Sequence, residues 1–292
     1  MRWRKGKGIK IAALLPILLL TSFCPDLFSV FERNIVLPGW RPEHASLRFL
    51  VISDLHLRAG NIGDLKYSAM VQAVNRIRPD FIFLLGDTFG FEQHHTIHEL
   101  NEAFVKLFSQ MEAKHGIYAV MGNHEFFSGL DASRAVLENA GITVLEDRLE
   151  VPRVNGYPLL IYGLKERSPK ERFTPPEILE LLRELPCPLI LSHRPDPFLE
   201  LPSGKSFLML AGHTHGGLFR LPFLKGGIFR FYKSEVCAKY TYGHFQENAK
   251  QLLVTSGMGD SSYYTRINVP YEMILLTIRP ENPVRAAQPV PE

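Results

Sequence analysis

Carboxylate, imidazole and carboxamide side chains recur at five points along this chain, each time where an apolar run stops. The points are Asp54 with His56, Asp87, Asn123 with His124, His193, and His213 with His215. The runs before them are short and built from Val, Ile, Leu and Phe, as in Leu47-Arg-Phe-Leu-Val-Ile-Ser-Asp-Leu-His56. A divalent cation that accepts both oxygen and nitrogen suits this set of donors. One Asp-x-His alone reads as a polar strand-to-loop turn, because short motifs arise by chance. Five such endings in one chain remove that explanation. Gly86, Gly122 and Gly212 each stand directly before one of these donors. Glycine lets backbone turn sharply or approach a bound ion closely.

Strands must carry these donors. A short apolar run bounded by polar residues reads as a buried strand. The sequence predicts strands over 47–56, 80–87, 117–125, 188–193 and 206–215, and others over 142–145, 148–151, 159–164, 251–255 and 271–278. Side chains at i and i+2 of a strand point the same way, so Asp54 and His56 are expected to aim at one point. Helical spacing of apolar residues predicts helices over 66–76 and 98–114, and shorter ones over 132–139 and 175–185. Strand and helix alternate in the first half, which predicts parallel crossover units and an α/β class. Ligands of such sheets bind beyond the carboxyl ends of the strands.

Taken in order, Asp54-x-His56, Gly86-Asp87, Gly122-Asn-His-Glu125, His193 and Gly212-His-Thr-His215 resemble the motifs of the calcineurin-like metallophosphoesterase superfamily. Gly216-Gly217, Lys239-Tyr240, Gly243, Val254-Thr-Ser-Gly-Met-Gly259, Arg266 and Pro270-Tyr-Glu272 further resemble its bacterial membrane-associated phosphodiesterase branch. The resemblance implies a four-layer α/β/β/α sandwich with two metals at one edge of the sheets. It implies one metal held by Asp54, His56, Asp87 and His215, and a second held by Asp87, Asn123, His193 and His213. Asp87 then bridges both, since a carboxylate has two oxygens and can link ions about 3.5–4 Å apart. Mixed N/O ligation without thiolate suits Mn, Fe, Zn or Co, and Mn is placed first. The reaction implied is hydrolysis of a phosphodiester or pyrophosphate by in-line attack of a metal-bridging hydroxide. His124 matches the family's non-ligand histidine, which donates a proton to the leaving group or stabilises charge. Glu125 stands where many relatives carry Asp and is long enough to orient His124. Arg194 and Arg266 are phosphate-binding candidates, because arginine suits bidentate phosphate contacts. Ser53-Asp-Leu-His-Leu57 also resembles the opening motif of the UDP-2,3-diacylglucosamine pyrophosphatase of lipid A assembly. The Gly-Asn-His-Glu differs from the Gly-Asn-Arg-Asp of one common form of that enzyme.

The chain has 292 residues, 46% hydrophobic and 22% charged, enough for a full core. A formal net charge of +3 does not make nucleic acid the main partner. Three cysteines without a CxxC argue against a disulfide framework and a cysteine-based zinc site. The amino terminus differs from the rest. Arg2, Arg4, Lys5, Lys7 and Lys10 precede an apolar run over 11–24, a membrane-targeting pattern. The run is shorter than the roughly 20 residues of a spanning helix, and extending it to Phe31 takes in Pro25 and Asp26. The expected organisation is a targeting or anchor segment over 1–31, a linker or edge strand over 32–46, the domain over 47–279 and a disordered tail over 280–292.

An uncleaved signal anchor, a cleaved signal peptide and a shallow interfacial anchor all fit, in that order. A spanning anchor in a bacterial inner membrane puts Met1 in the cytoplasm and the domain outside. An interfacial anchor keeps the domain inside. Expected partners are a phosphorylated small-molecule or lipid-linked substrate and the membrane surface. The segment Leu218 to Lys233 interleaves apolar and basic residues, as core strands or as a membrane-facing lip would. His94-His95 reads as a polar loop on the rim of the site. A membrane-tethered metal-binding scaffold without turnover and a nuclease are the competing classes. The complete donor set and His124 oppose the first, and the low charge opposes the second.

Overall fold

Within Arg48–Ile52, Phe49 and Val51 point one way, Leu50 and Ile52 the other, and all four are buried. A strand buried on both faces must lie between two layers. The computed structural model describes residues 28–58, 60–90, 97–168, 171–220, 235–260 and 266–281. In chain order the first half holds β1 (Ser29–Leu37), β2 (Arg48–Ile52), α1 (Leu65–Ile77), β3 (Phe81–Leu85), α2 (Ile97–Phe108), β4 (Ile117–Val120), α3 (Asn123–Ser128) and α4 (Leu130–Asn139). Next come β5 (Thr143–Val144), β6 (Arg148–Glu150), β7 (Arg153–Val154), β8 (Tyr157–Pro158), β9 (Ile161–Gly163), α5 (Pro176–Glu184), β10 (Leu189–Leu191) and α6 (Pro197–Glu200). The chain closes with β11 (Phe207–Ala211), α7 (Glu235–Lys239), β12 (Gly243–Glu247), β13 (Lys250–Val254) and β14 (Glu272–Pro280).

One sheet has the order β1-β14-β2-β3-β4-β5 and the other β12-β13-β11-β10-β9-β6, while β7 and β8 form a separate hairpin. Three buried clusters define the layers. Leu50, Ile52, Ile82 and Leu84 pack under α1, α2 and α4, against Met70, Val74, Phe104, Phe108 and Val136. Phe49, Phe81, Phe83, Leu191, Leu208 and Leu253 fill the space between the sheets. Tyr162, Ile190, Met209 and Leu252 meet Ile178, Leu182 and Phe198 on the far side. Helices, sheet, sheet and helices thus make the expected four-layer sandwich. Between the sheets Phe49 stacks on Phe81 at 5.6 Å and on Phe83 at 5.5 Å. Strands β2, β3 and β4 run parallel, as do β9, β10, β11 and β13, so their carboxyl ends gather at one edge.

Several expectations change. The sheet begins at Ser29, not at Leu47, because β1 pairs with β14 along its whole length, from Ser29–Glu272 to Leu37–Pro280. Phe28 already packs against the first helical core. The expected anchor segment therefore overlaps the fold at its last residues, and the rest of it, 1–27, lies outside the described residues. Among the described residues no helix is long and apolar enough to cross a membrane. The helix expected over 98–114 stops at Phe108. The strand expected over 117–125 stops at Val120, and Asn123 opens a helix instead. In the apolar–basic segment only Leu218, Phe219 and Arg220 are described, and His94, His95 and the tail from 282 lie outside.

Candidate metal centre

The donors do not sit on the strands. β2 ends at Ile52, and Asp54 and His56 follow in a loop with left-handed backbone, at φ 53° and 48°. Asp87, His213 and His215 share that conformation, at φ 47°, 69° and 46°. Strand alternation is therefore not what aims them. An L-residue in this region costs about 1–2 kcal/mol. The surrounding loops hold it there by continuing the sheet's hydrogen bonding. Asp54 N–H donates to Gly86 O at 3.0 Å, His56 N–H to Asp87 O at 3.0 Å, and Gly259 N–H to Asp54 O at 2.6 Å. Glycine serves close approach between ligand loops. A Cβ on Gly122 would lie 2.3 Å from Asp87 Oδ1, and one on Gly212 would lie 2.0 Å from Ser53 Oγ and 2.5 Å from Asp54 Oδ2.

The donors converge in two groups around one oxygen. His56 Nε2 lies 3.1 Å from His215 Nε2, with Asp54 Oδ1 3.6 Å from the latter. His213 Nδ1 lies 3.1 Å from His193 Nε2, which is also 3.1 Å from Asn123 Oδ1. Asp87 Oδ2 faces both groups, 3.8 Å from His56 Nε2 and 3.3 Å from His193 Nε2. Its Oδ1 is taken by the backbone N–H of His124 at 2.8 Å. A single oxygen, not both, faces the two groups. Two nitrogens each about 2.1 Å from one ion stand roughly 3.0–3.4 Å apart at octahedral to tetrahedral angles, so the ring spacings fit ligation. His193 Nδ1–H donates to Leu85 O at 2.8 Å, which leaves Nε2 as the ligating atom. Carboxylate oxygens and imidazole nitrogens packed this closely fit divalent ions.

Burial decides which rings are neutral. It pushes His56 down to about 3, and it holds His213 and His215 well below the ordinary range, with nearby positive groups adding to it. Burial raises Asp54 to about 6. For Asp87 burial acts upward, but His193, His56 and His124 outweigh it and keep the carboxylate ionised. His193 is the converse. Burial lowers it, yet the Asp87 carboxylate prevails and raises it to about 10. In the metal-free protein a proton thus occupies the position a cation would take. Metal loading near neutral pH is expected to release about one proton from this ring, and affinity should rise with pH up to about 10. Calorimetry in buffers of different ionisation heat measures the release. Zero protons released would place the charge elsewhere.

The family model of the calcineurin-like phosphoesterases matches residues 47–217, more than half of the chain. The chain belongs to this family. It is similar to an uncharacterized metallophosphoesterase of Aquifex aeolicus, 27% identical over 251 residues that cover 82% of this chain and 87% of the relative. It is also similar to the phosphodiesterase YaeI of Escherichia coli, 27% identical over 258 residues, covering 87% and 89%. Among solved structures, the Haemophilus influenzae NAD nucleotidase NadN aligns with a TM-score of 0.45 and 18% identity. That alignment covers 75% of this chain and 45% of the nucleotidase chain. This family member is a metal-dependent phosphoester hydrolase with a binuclear site.

Its remaining site residues divide sharply. His124 stands at the rim with its side chain 21% exposed, Nε2 3.9 Å from Asp87 Oδ2, and burial lowers its pKa. Glu125 does not orient His124 through a hydrogen bond, as expected from the sequence. It is fully buried and accepts three backbone N–H groups: Asp87 at 2.9 Å, Phe89 at 2.9 Å and Gly122 at 2.7 Å. Its carboxylate therefore ties the bridging-ligand loop to the start of α3. The bond from Gly122, three residues earlier, satisfies a donor at the start of α3 as one half of a capping box does. Glu125→Ala leaves three buried donors unpaired and is expected to cost on the order of 3 kcal/mol, read from urea denaturation. Glu125→Gln, which keeps an acceptor, should cost less. Equal stability of Glu125→Ala and the parent would show that the bonds hold nothing.

The two arginines also differ. Arg194 Nε donates to Glu166 Oε1 at 2.5 Å, and its NH1 lies 3.1 Å from His213 Nε2, at the edge of the second ligand group. Arg266 is not free to bind phosphate. It is 4% exposed, and its guanidinium donates to the carbonyls of Gly257, Pro270 and Gly259 and lies 3.1 Å from His215 Nδ1. It holds the loop that backs Asp54.

Proposed function

We propose that this family member is a membrane-associated, two-metal phosphodiesterase, with Mn²⁺ the first candidate ion. The observation that carries the reading is the one oxygen of Asp87 facing His56, His193 and His124 at 3.8, 3.3 and 3.9 Å. When bound, the ions supply an activated water and offset charge building on the phosphoryl oxygens. The chain's own residues do the rest. Asp54, His56, Asp87 and His215 would hold one ion, and Asp87, Asn123, His193 and His213 the other. His124 Nε2, at the open side of the cluster, donates a proton to the leaving oxygen. Arg194 is placed to steady a phosphoryl oxygen. A relative named a phosphodiesterase supports a diester as substrate.

A second reading is cleavage of the pyrophosphate of a lipid-linked nucleotide, such as UDP-2,3-diacylglucosamine. It is favoured by the exposed pair Phe126 and Phe127 beside His124. A membrane-tethered metal-binding scaffold without turnover is opposed by the full ligand set and by His124. The test is turnover by purified, metal-loaded protein on bis-p-nitrophenyl phosphate, a lipid-nucleotide pyrophosphate and single-stranded DNA. Hydrolysis of the first alone supports the diester reading. Preference for the second replaces it, and no turnover with any of the four metals sinks both.

A further inference from the structure

The sheet register fixes where the amino-terminal segment enters the domain. β14 runs antiparallel to β2, with Ile274 opposite Val51, and β1 runs parallel to β14, with Ser29 opposite Glu272. The start of β1 is therefore level with the carboxyl end of β2, where Asp54 and His56 follow. One strand, β14, lies between β1 and β2, which puts them two strand spacings, roughly 10 Å, apart across the sheet. Ser29 N–H donates to Tyr271 O at 2.8 Å, which fixes the entry point. The residues before it carry the apolar run over 11–24 and its five basic neighbours. The described chain thus enters the fold at the end of the sheet that carries Asp54 and His56.

Four of the nine exposed large apolar side chains among the described residues belong to segments at this end. Phe126 and Phe127 are 42% and 69% exposed and follow Asn123 and His124 directly on α3. They are the exposed phenylalanines among the described residues. Leu65, 86% exposed, opens α1 just after the loop that carries Asp54 and His56. Val30, beside the entry point, is 37% exposed. Single exposed apolar residues need no explanation, but large aromatic ones beside a catalytic mouth suit the headgroup boundary of a bilayer.

We propose that the metal end of the domain is the face laid against a lipid bilayer, so that the substrate class is a phosphoester borne on a lipid headgroup. This rests on the reading of the site as a phosphodiesterase. The test uses the full chain with Cys24→Ser and Cys187→Ser, and a fluorophore on Phe127→Cys, Leu65→Cys or Val36→Cys. Val36 is 54% exposed at the opposite end of β1. Vesicles of phosphatidylethanolamine and phosphatidylglycerol carry a nitroxide quencher at headgroup depth. Emission at 127 and 65 is expected to fall by about half or more, and at 36 by less than about a tenth. Quenching at 36 equal to that at 127, or no quenching at 127, overturns the proposal. The Val36-labelled protein is assayed in parallel on bis-p-nitrophenyl phosphate with Mn²⁺. Failure there with quenching intact overturns the phosphodiesterase reading and leaves the docking face standing.

Discussion

Asp87→Asn is expected to lower turnover by about 10³-fold or more and to empty at least one metal position. The geometry says why this conservative change is severe. Oδ1 already accepts the His124 N–H at 2.8 Å, and the amide oxygen of asparagine will keep that bond. The amide nitrogen then stands where Oδ2 stood, facing His56 and His193. It brings donors where both ions need a shared anion. Asparagine tolerates the left-handed backbone found at this position, φ 47°, so the fold should survive. Metal analysis and turnover on one preparation check the result. Two bound ions with full activity would show that Asp87 is not the bridge.

His124→Ala should behave differently. It removes no ligand, and its backbone N–H still bonds Asp87, so both metals should remain. Turnover should fall roughly 10²–10⁴-fold, the range for a positioned general acid. The loss should shrink as the leaving group becomes more acidic, since p-nitrophenolate departs without a proton. A series of aryl and alkyl diesters measures this. Equal loss across the series would assign His124 to positioning.

The sequence showed which residues meet and misjudged how. The five donor clusters were legible because each ends an apolar run, and parallel strands bring their carboxyl ends together. The layer order came from the family resemblance, because Phe49, Leu50, Val51 and Ile52 are all apolar and residue type does not assign them to faces. What aims Asp54 and His56 was not legible, because a left-handed turn leaves no mark when the residue must be a ligand and cannot be glycine. β1 escaped notice as part of the domain because most of it is exposed or half-exposed, with only Ile35 and Leu37 buried. Such an edge strand has no apolar run to read. Glu125 and Arg266 share another cause. Their partners are backbone groups, and residue type alone does not reveal which carbonyl or N–H a charge will serve.

The left-handed backbone of five ligands also bears on how this centre should be taken apart. Alanine scanning assumes that truncation changes the side chain and nothing else. At Asp54, His56, Asp87, His213 and His215 that assumption fails. Alanine keeps the unfavourable φ and loses the side chain's own contacts, whereas glycine loses those contacts but relieves the backbone as well. Ligand-to-glycine variants should therefore be the cleaner knock-outs, losing metal while remaining folded. At these positions, an alanine variant that expresses poorly says more about the peptide backbone than about the chemistry.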